Sequence, residues 1–407
     1  MKELNATSVL SPPIMHPDIE RLYKLAAQPQ RLVLGLMSGT SLDGLDIALC
    51  RFSGSRPGFR LLRFTSIPYD NFFKEQVLAV FSKREISLEQ LCLLHPWIAR
   101  QHAAMVNTVL KEWGIDNKEI DLLACHGQTV FHAPQRLHGN AVFGNATLQI
   151  GDGDHLAMAT GIITLSDFRQ KNIAAGGEGA PLATYGDALL FRSADENRIL
   201  LNIGGIANFS WLPADVNETL LATDTGPGNT IMDAFIRKTG HGKHFDEDGR
   251  MAASGSINEI LLSRLKAAPY FKSAFPKTTG PELFNLDFLE EAIRITGLAI
   301  SAEDIMATLN RFTAETIADA ILQVTGNRKE FAVYVSGGGS HNTTLMQHLA
   351  ACLPGTGIHS FTALGVNPDA KEALLFAVLA DACVGGYGNE RYPGLPAVAM
   401  GKISLPH

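Results

Sequence analysis

Short apolar runs alternate with longer amphipathic stretches along most of the chain. Residues 32–36 and 46–52 are apolar runs separated by a small polar turn, which predicts a two-stranded hairpin. In residues 87–112 and 301–324 the apolar positions recur at helical spacing. This alternation of strands and helices predicts an α/β protein. The pattern also predicts strands at residues 58–67, 122–125, 198–203, 208–212, 220–222 and 331–335, and helices at 72–83, 156–160, 230–238, 258–265, 286–296, from 342, and 371–382.

A second strand–turn–strand segment, residues 198–212, again has a glycine-rich turn, GGIA. Two such hairpins predict two related α/β halves, and a chain of 407 residues is long enough for two domains. An amphipathic helix is predicted at residues 18–27. We predict an N-terminal extension at residues 1–30, a first lobe at residues 31–165 plus 383–407, and a second lobe at residues 166–382.

Four glycine-rich turns each follow an apolar run: SGTSLDG (38–44), NIGGIAN (202–208), DTGPGNT (224–230) and SGGG (336–339). Glycine lets a backbone approach a ligand closely, and consecutive amides in such turns form anion sites. Any one of them could be a plain tight turn, but four together favour a nucleotide site. The chain has no GxxxxGK[ST] and no GxGxxG opening a helix, which disfavours P-loop and Rossmann enzymes. Phosphoryl transfer stays open because it depends mainly on positioning and charge neutralisation.

Carboxylates stand beside two of these turns. Asp43 and Asp46 lie in or just after the first turn, where an acid among phosphate-binding donors implies a metal ion. The alternative for Asp43 is a simple turn-forming role. Asp224 follows an apolar run, and a carboxylate at a strand end beside a phosphate turn suits a general base. Its alternative is capping of the helix at residues 230–238.

Other polar residues are candidates for substrate binding. His126 in CHGQT follows a predicted buried strand, although such a histidine is often only a satisfied hydrogen-bonding residue. The segment 167–182 contains Arg169, Glu178 and several glycines, as a polar binding loop would. Glu372 opens an apolar helix, where interaction with the helix dipole alone would explain an acid.

Composition excludes several classes of protein. The net charge is −7 and lysine and arginine form no long run, so a nucleic-acid surface is not indicated. No apolar run approaches the roughly 18 residues of a membrane helix. The five cysteines include no CxxC pair, which argues against a disulfide framework or a structural zinc site and favours a reducing compartment. The N-terminus does not have the pattern of a secretory signal.

Nine segments in this order resemble the anhydro-N-acetylmuramic acid kinase family, within the actin, Hsp70 and sugar-kinase superfamily. The resemblance extends from about residue 32 to residue 382 and rests on GLMSGTSLDGLDIAL, CHGQTVFH, SDFRQKNIAAGGEGAPL, LNIGGIANFSWL, DTGPGNTIMDA, FDEDG, PKTTGPELFN, VSGGGSHNTTLM and ALGVNPDAKEALLFAVLA. It implies two ribonuclease-H-like lobes with an interdomain cleft, a cytoplasmic location and a homodimer.

The resemblance also implies roles for residues. Asp224 matches the catalytic base, and Asp43 and Glu372 would hold Mg²⁺ directly or through water. The sugar is assigned to His126, Gln128, Arg169 and Glu178. ATP is assigned to Gly39, Thr40, Ser41, Leu42, Asp43, Gly44, Leu45, Asp46, Gly204, Gly205, Gly226, Gly228, Asn229, Gly337, Gly338, Gly339 and Asn342.

The implied reaction couples ring opening to phosphorylation. Water attacks C1 of 1,6-anhydro-N-acetylmuramic acid, and the freed O6 attacks the γ-phosphate of ATP, giving N-acetylmuramic acid 6-phosphate and ADP in cell-wall recycling. The chain has GGEGAPLAT where the family usually has GGQGAPLVP, so Glu178 replaces a neutral amide in the sugar loop. The segments NPDAKEA and MGKIS resemble segments of relatives that phosphorylate levoglucosan. A levoglucosan-type kinase and a non-catalytic actin- or chaperone-like nucleotide-binding protein are therefore the alternatives.

Overall fold

The computed structural model describes residues 15–54, 58–180, 182–239, 242–328, 330–387 and 396–407. Residues 1–14, nearly half of the predicted N-terminal extension, lie outside this part of the chain. The predicted α/β class is confirmed, because strands and helices alternate throughout. None of the helices in the described residues is both long enough and apolar enough to span a membrane.

Twelve strands and fourteen α-helices are present in the described residues. The strands are β1 (Gln30–Ser38), β2 (Gly44–Ser53), β3 (Gly58–Pro68), β4 (Leu122–Ala133), β5 (Ala146–Ile150), β6 (Thr164–Ser166), β7 (Arg198–Ile203), β8 (Ile206–Leu212), β9 (Leu221–Pro227), β10 (Ala332–Ser336), β11 (Gly357–Ser360) and β12 (Lys402–Ser404). The helices are α1 (Pro17–Ala27), α2 (Asn71–Leu78), α3 (Leu88–Trp113), α4 (Gln135–His138), α5 (Gly153–Thr160), α6 (Phe168–Ala174), α7 (Ala183–Phe191), α8 (Thr230–Thr239), α9 (Arg250–Ser254), α10 (Glu259–Lys266), α11 (Leu286–Thr296), α12 (Ala302–Val324), α13 (Thr343–Cys352) and α14 (Lys371–Gly385).

The chain forms two compact units. Among the described residues, the first unit contains residues 15–179, 376–387 and 398–407, and the second contains 180–375 and 396–397. The sequence analysis placed the boundaries at residues 165/166 and 382/383. The first unit extends further along the chain because β6 is a strand of its sheet and α6 follows directly.

The two sheets have the same strand order. In the first unit, β3–β2–β1 is antiparallel, β4 and β6 continue in parallel with β1, and β12 closes the edge. In the second unit, β9–β8–β7 is antiparallel and β10 and β11 continue in parallel with β7. Three antiparallel strands followed by two parallel ones form the ribonuclease-H-like arrangement, and its repetition agrees with two related halves.

Each sheet buries its strands against helices. In the first unit, Leu34, Leu36 and Ile47 are fully buried in one hydrophobic cluster with Val106 and Val109 of α3. In the second unit, residues of β7, β8 and β10 share a cluster with α12 and α13. Burial on both faces explains why the central strands appear in the sequence as nearly continuous apolar runs.

Tertiary contacts change two predicted elements. Strand β4 runs to Ala133 instead of ending at residue 125, because its second half pairs with β5, a strand that the pattern did not predict. Helix α2 ends at Leu78 instead of residue 83. The chain turns at Ser82, whose φ is +55°, and the Ser82 amide donates to the carbonyl of Val130, so these residues leave the helix to contact β4.

A buried ion pair joins the two ends of the first unit's sequence. Arg31 of β1 donates from Nε to Asp381 of α14 at 2.5 Å, and both side chains are almost inaccessible. We expect Arg31→Met to lower the free energy of unfolding by about 3–5 kcal/mol, because it leaves the buried Asp381 carboxylate without its positively charged partner. Urea unfolding measures this loss. Arg328→Met breaks a half-exposed pair with Glu218 and should change the midpoint little; equal losses would contradict the argument.

Candidate active site

The first glycine-rich turn connects β1 to β2 in the first unit. Thr40, Ser41 and Asp43 of this turn are exposed. Leu42 and Leu45 point into the hydrophobic cluster instead, so their side chains hold the turn to the core. Any contact of these two leucines with ATP must therefore come from their backbone. Of the remaining predicted residues, Gly39 lies in the turn, and Gly44 and Asp46 begin β2.

The two acids of this turn, Asp43 and Asp46, could each offer one carboxylate to a metal ion. Asp43 is exposed and Asp46, in β2, is partly buried. In the described part of the chain, no three histidine, cysteine, aspartate or glutamate side chains come together as a metal cluster. This donor set does not resemble a closed zinc site. It fits Mg²⁺, which proteins commonly bind through one or two carboxylates together with water and substrate phosphates.

Gln128 holds the first glycine-rich turn in place through hydrogen bonds. Its side chain is fully buried: Oε1 accepts from Ser38 Oγ at 2.5 Å, and Nε2 donates to the carbonyl of Gly39 at 3.3 Å and to that of Thr129 at 3.4 Å. Both ends of the amide are therefore engaged within the protein. The structure gives Gln128 a role in holding the turn, whereas its predicted contact with sugar stays a prediction.

His126 and Arg169 come together in the first unit. His126 lies within β4 rather than after it, because this strand is longer than predicted. Arg169 Nε donates to His126 Nε2 at 3.0 Å, and Arg169 Nη1 donates to the carbonyl of Gly179 at 2.7 Å. Burial and, to a smaller extent, the neighbouring Arg169 guanidinium lower the pKa of His126 to about 3. The ring is thus neutral with its proton on Nδ1, an atom without a partner among the described residues.

A pocket of about 320 Å³ adjoins His126. It is also lined by Gln149, Asp152 and Asp154. Oε1 of Gln149 is buried with no partner in the described part of the chain, so it can accept a hydrogen bond from a ligand. None of these three residues was predicted from the sequence. The signal was present, because QIGDGD is another polar, glycine-containing turn at the end of a strand.

Glu178 has a partner that the sequence did not reveal. Arg136 of α4 donates from Nε to Glu178 Oε2 at 3.2 Å, and both side chains are partly exposed. The charge that distinguishes GGEG from GGQG is therefore balanced within the first unit. Such a half-exposed pair contributes little to stability.

In the second unit, two of the predicted phosphate turns are joined directly. The amide of Gly228 donates to the carbonyl of Gly205 at 2.8 Å, and the amide of Asn229 donates to that of Gly204 at 2.8 Å. A Cβ atom at Gly228 would lie 2.2 Å from the carbonyl oxygen of Gly204, so only glycine allows this approach. Predicted residue Gly226 lies just before, in β9.

The SGGG turn follows β10 and leads into α13. Gly337, Gly338 and Gly339 make the turn, of which Gly339 is buried. The side chain of Asn342 caps α13 by accepting from the Leu345 amide at 2.9 Å. Asn342 is therefore held in place by the helix it begins.

A pocket of about 430 Å³ lies beside this turn within the second unit. Asn229, Gly338 and Asn342, all predicted from sequence, line it together with Met232 and Phe245, which were not. Asp233, Asp246, Glu247 and Asp248 line it as well. Apolar surface suits a purine, and carboxylates accept from ribose hydroxyls but repel phosphates. The pocket thus fits the nucleoside end of ATP. Phe245 opens the FDEDG segment, one of the nine that carry the family resemblance, although no site role was predicted for it.

Asp224 lies in the middle of β9 and not after its end. The amide of Thr279 donates to its Oδ2 at 2.9 Å, and the Tyr270 hydroxyl donates to its backbone carbonyl at 3.0 Å. Burial raises the pKa of the Asp224 carboxyl, an effect that the Thr279 amide partly offsets. A half-buried carboxylate held on one oxygen can accept a proton on the other.

Glu372 lies in the first turn of α14 and is exposed, as predicted for an acid that opens a helix. It belongs to the second unit and Asp43 to the first. The neighbouring Lys371 pairs with Asp187 at 2.9 Å.

The chain is similar to known proteins over almost its whole length. A family model described as anhydro-N-acetylmuramic acid kinase matches residues 31–397. The chain is 50% identical over 401 residues to the anhydro-N-acetylmuramic acid kinase of Pseudoalteromonas atlantica, covering 96% of this chain and 100% of that relative. It is 37% identical over 396 residues to the protein of the same name from Caldanaerobacter subterraneus subsp. tengcongensis, covering 95% and 100%.

Proposed function

The chain belongs to the anhydro-N-acetylmuramic acid kinase family, and on this basis we propose that it converts ATP, water and 1,6-anhydro-N-acetylmuramic acid into N-acetylmuramic acid 6-phosphate and ADP. The observation that carries the proposal is the full-length match together with Asp224, a half-buried carboxylate with a raised pKa beside a phosphate turn. Kinase activity of this family requires ATP, and the second unit has a pocket that fits its nucleoside end.

Asp224 acts as the general base in this proposal. Thr279 fixes its Oδ2, which leaves Oδ1 to accept the proton of the water that attacks C1 of the sugar. The bond from C1 to O6 breaks, and O6 attacks the γ-phosphate as ADP leaves. A raised pKa brings the base nearer to working pH, where proton transfer is more effective.

The polar pocket of the first unit is our candidate for sugar binding. Gln149 and Asp152 accept hydrogen bonds, and neutral His126 offers a donor at Nδ1. Arg169 orients the His126 ring. A site built to hydrogen-bond one sugar can strongly reject another that lacks a single donor or acceptor. We place the neutral N-acetyl group of the sugar among these residues. Glu178, already paired with Arg136, would then shape the loop without repelling the lactyl carboxylate.

The direct test is ADP release with ATP and Mg²⁺, with 1,6-anhydro-N-acetylmuramic acid and levoglucosan in parallel. We expect a product heavier by one phosphoryl group (HPO₃) plus one water from the first sugar only. The same mass gain from levoglucosan alone would contradict the proposed substrate and support the proposed type of reaction. No gain from either sugar would favour a nucleotide-binding protein without catalysis.

We propose, from the family resemblance, that Asp43 and Glu372 each contribute to binding of Mg²⁺, which would neutralise charge on the phosphates. EDTA should abolish turnover and excess Mg²⁺ should restore it. Asp43→Asn and Glu372→Gln should each raise the Mg²⁺ concentration for half-maximal rate by about 10–100-fold, the range seen when a supporting ligand is lost. Asp215→Asn, a change at an exposed loop residue, is the control. An unchanged Mg²⁺ requirement in both variants would remove these residues from the role.

We also propose that the protein is a cytoplasmic homodimer, as the family resemblance implies. Light scattering coupled to gel filtration tests the oligomeric state: a mass near twice that of one chain supports the proposal, and a mass near 43.9 kDa contradicts it.

A further inference from the structure

A series of buried side chains connects α3 to the first phosphate turn inside the first unit. His102, Tyr69, Ser38 and Gln128, which we call the buried relay, are each at most 4% exposed. The Tyr69 hydroxyl lies 2.9 Å from His102 Nε2 and 2.7 Å from Ser38 Oγ. Ser38 Oγ lies 2.5 Å from Gln128 Oε1, and Gln128 Nε2 lies 3.3 Å from the carbonyl oxygen of Gly39.

The hydrogens of the buried relay have one consistent direction. Gly39 offers a carbonyl, so the NH₂ of Gln128 must face it and the oxygen of Gln128 must face Ser38. The Ser38 hydroxyl therefore donates to Gln128, and the Tyr69 hydroxyl donates to Ser38. His102 is then the donor to Tyr69, through a proton on Nε2.

The chemistry of His102 agrees with this direction. Burial lowers its pKa to about 4, so the ring is neutral and has one donor and one acceptor. The acceptor, Nδ1, faces Cys125 Sγ at 4.0 Å, and burial raises the pKa of this thiol to about 11, which keeps its proton in place. Cys125 Sγ in turn accepts from the Gly127 amide at 3.3 Å. Aligned hydrogen bonds of this kind polarise and strengthen one another in a buried environment.

Tyr69 holds both ends of the phosphate turn. Its backbone amide donates to the carbonyl of Asp43 at 3.2 Å, at the end of the turn. Its hydroxyl acts through Ser38 and Gln128 on the carbonyl of Gly39, at the beginning. Within the turn, the Leu42 amide donates to the carbonyl of Gly39 at 3.3 Å.

We propose that the buried relay is a positioning device that fixes the first phosphate turn for ATP, with Tyr69 and His102 as positioning residues. By anchoring the carbonyls of Gly39 and Asp43, the relay keeps exposed Thr40 and Ser41 directed at the phosphates before ATP arrives. Preorganised donors of this kind save the ordering cost on binding. The inference rests on the proposed function in that it takes this turn to bind ATP.

Tyr69→Phe tests the relay, because phenylalanine keeps the stacking on Phe73, whose ring centroid is 3.8 Å away, and removes only the hydroxyl. We expect the Kd for ATP with Mg²⁺, measured by calorimetry, to rise about tenfold, because the bond from the hydroxyl to Ser38 is the buried hydrogen bond that connects Tyr69 through the relay to the turn. The KM for sugar should stay at the wild-type value. Ser38→Ala breaks the next link and should give a similar rise, with the double variant no worse than either single one.

Tyr334→Phe is the matched control, because it removes a hydroxyl bonded to Glu196 in the second unit and should leave the Kd for ATP unchanged. A wild-type Kd for ATP in both Tyr69→Phe and Ser38→Ala would overturn the relay. So would a double variant whose rise in Kd equals the sum of the two single effects, or a rise in the KM for sugar as large as that in the Kd for ATP. Since calorimetry needs no turnover, wild-type protein that binds ATP but phosphorylates no sugar would contradict the proposed function and not the relay. If Tyr69→Phe fails to fold, Ser38→Ala carries the test alone.

Discussion

Asp224→Asn is expected to reduce kcat with the anhydro sugar by about 10²–10⁴-fold, the range that a positioned general base contributes. The asparagine oxygen can still accept from the Thr279 amide, so the fold and the KM for ATP should change little. Steady-state kinetics with both substrates measures the effect. Full turnover by the variant would exclude Asp224 as the base.

Asp121→Asn is the matched control for this experiment. Asp121 is also a half-buried carboxylate whose pKa is raised by burial, and it accepts from a backbone amide, that of Leu32, at 2.7 Å. Because Asp121 lies away from the phosphate turns and pockets described for catalysis, its replacement should leave kcat unchanged. A comparable loss in both variants would indicate damage to the fold instead of loss of a base.

The pH dependence should identify the same group. The base must be ionised, so kcat/KM falls as pH drops through the pKa of Asp224. Burial raises that pKa, and the acid limb should therefore lie above the value of about 3.9 for a free aspartate. His126 and His102 stay neutral down to pH values near their lowered pKa values and should add no limb around neutrality. An acid limb at or below 3.9 would contradict the assignment.

Gly228→Ala is the second change with a large expected effect. The new methyl would lie 2.2 Å from the carbonyl oxygen of Gly204, a backbone atom that cannot rotate away. The two phosphate turns must then separate, which costs about 1–3 kcal/mol of stability. A displacement of about 1 Å can reduce turnover by about 100-fold, so we expect kcat/KM for ATP to fall by that factor.

Gly144→Ala provides the comparison, because a Cβ there meets nothing within 4 Å and Gly144 lies in an exposed turn. It should keep wild-type ATP kinetics and melting temperature. If Gly228→Ala bound ATP as tightly as Gly144→Ala, the contact between the two turns would have no part in nucleotide binding.

The strongest patterns in the sequence are local, and the structure contains the strands and helices that they predict. Apolar runs at residues 32–36 and 198–203 became β1 and β7, and the long amphipathic stretches became α3 and α12, within a residue or two at each end. Helix α3 begins at the Ser87 cap and ends at Gly114 in the left-handed conformation, both of which the sequence displays. Periodicity and caps act between neighbours in the chain, so they can be predicted without knowledge of the fold.

Polar residues were harder to interpret, because their role depends on what lies opposite. Gln128 and Glu178 were both predicted to touch sugar. Folding engages Gln128 with Ser38 and Gly39, and pairs Glu178 with Arg136, which is 42 positions away in the chain. A hydrogen bond between distant segments leaves no periodic trace in the sequence.

The sequence by itself determined the α/β class, the repeated hairpin, the glycine-rich turns and the membership of a kinase family, because each depends on residue types at short spacing. Only the tertiary structure decided which turns contact each other and that Tyr69 and His102 lie behind the first phosphate turn. It alone also raises the pKa of the Asp224 carboxyl and brings the Thr279 amide to that carboxyl. These facts arise from burial and from contacts between strands far apart in the chain, where desolvation and hydrogen bonding act together.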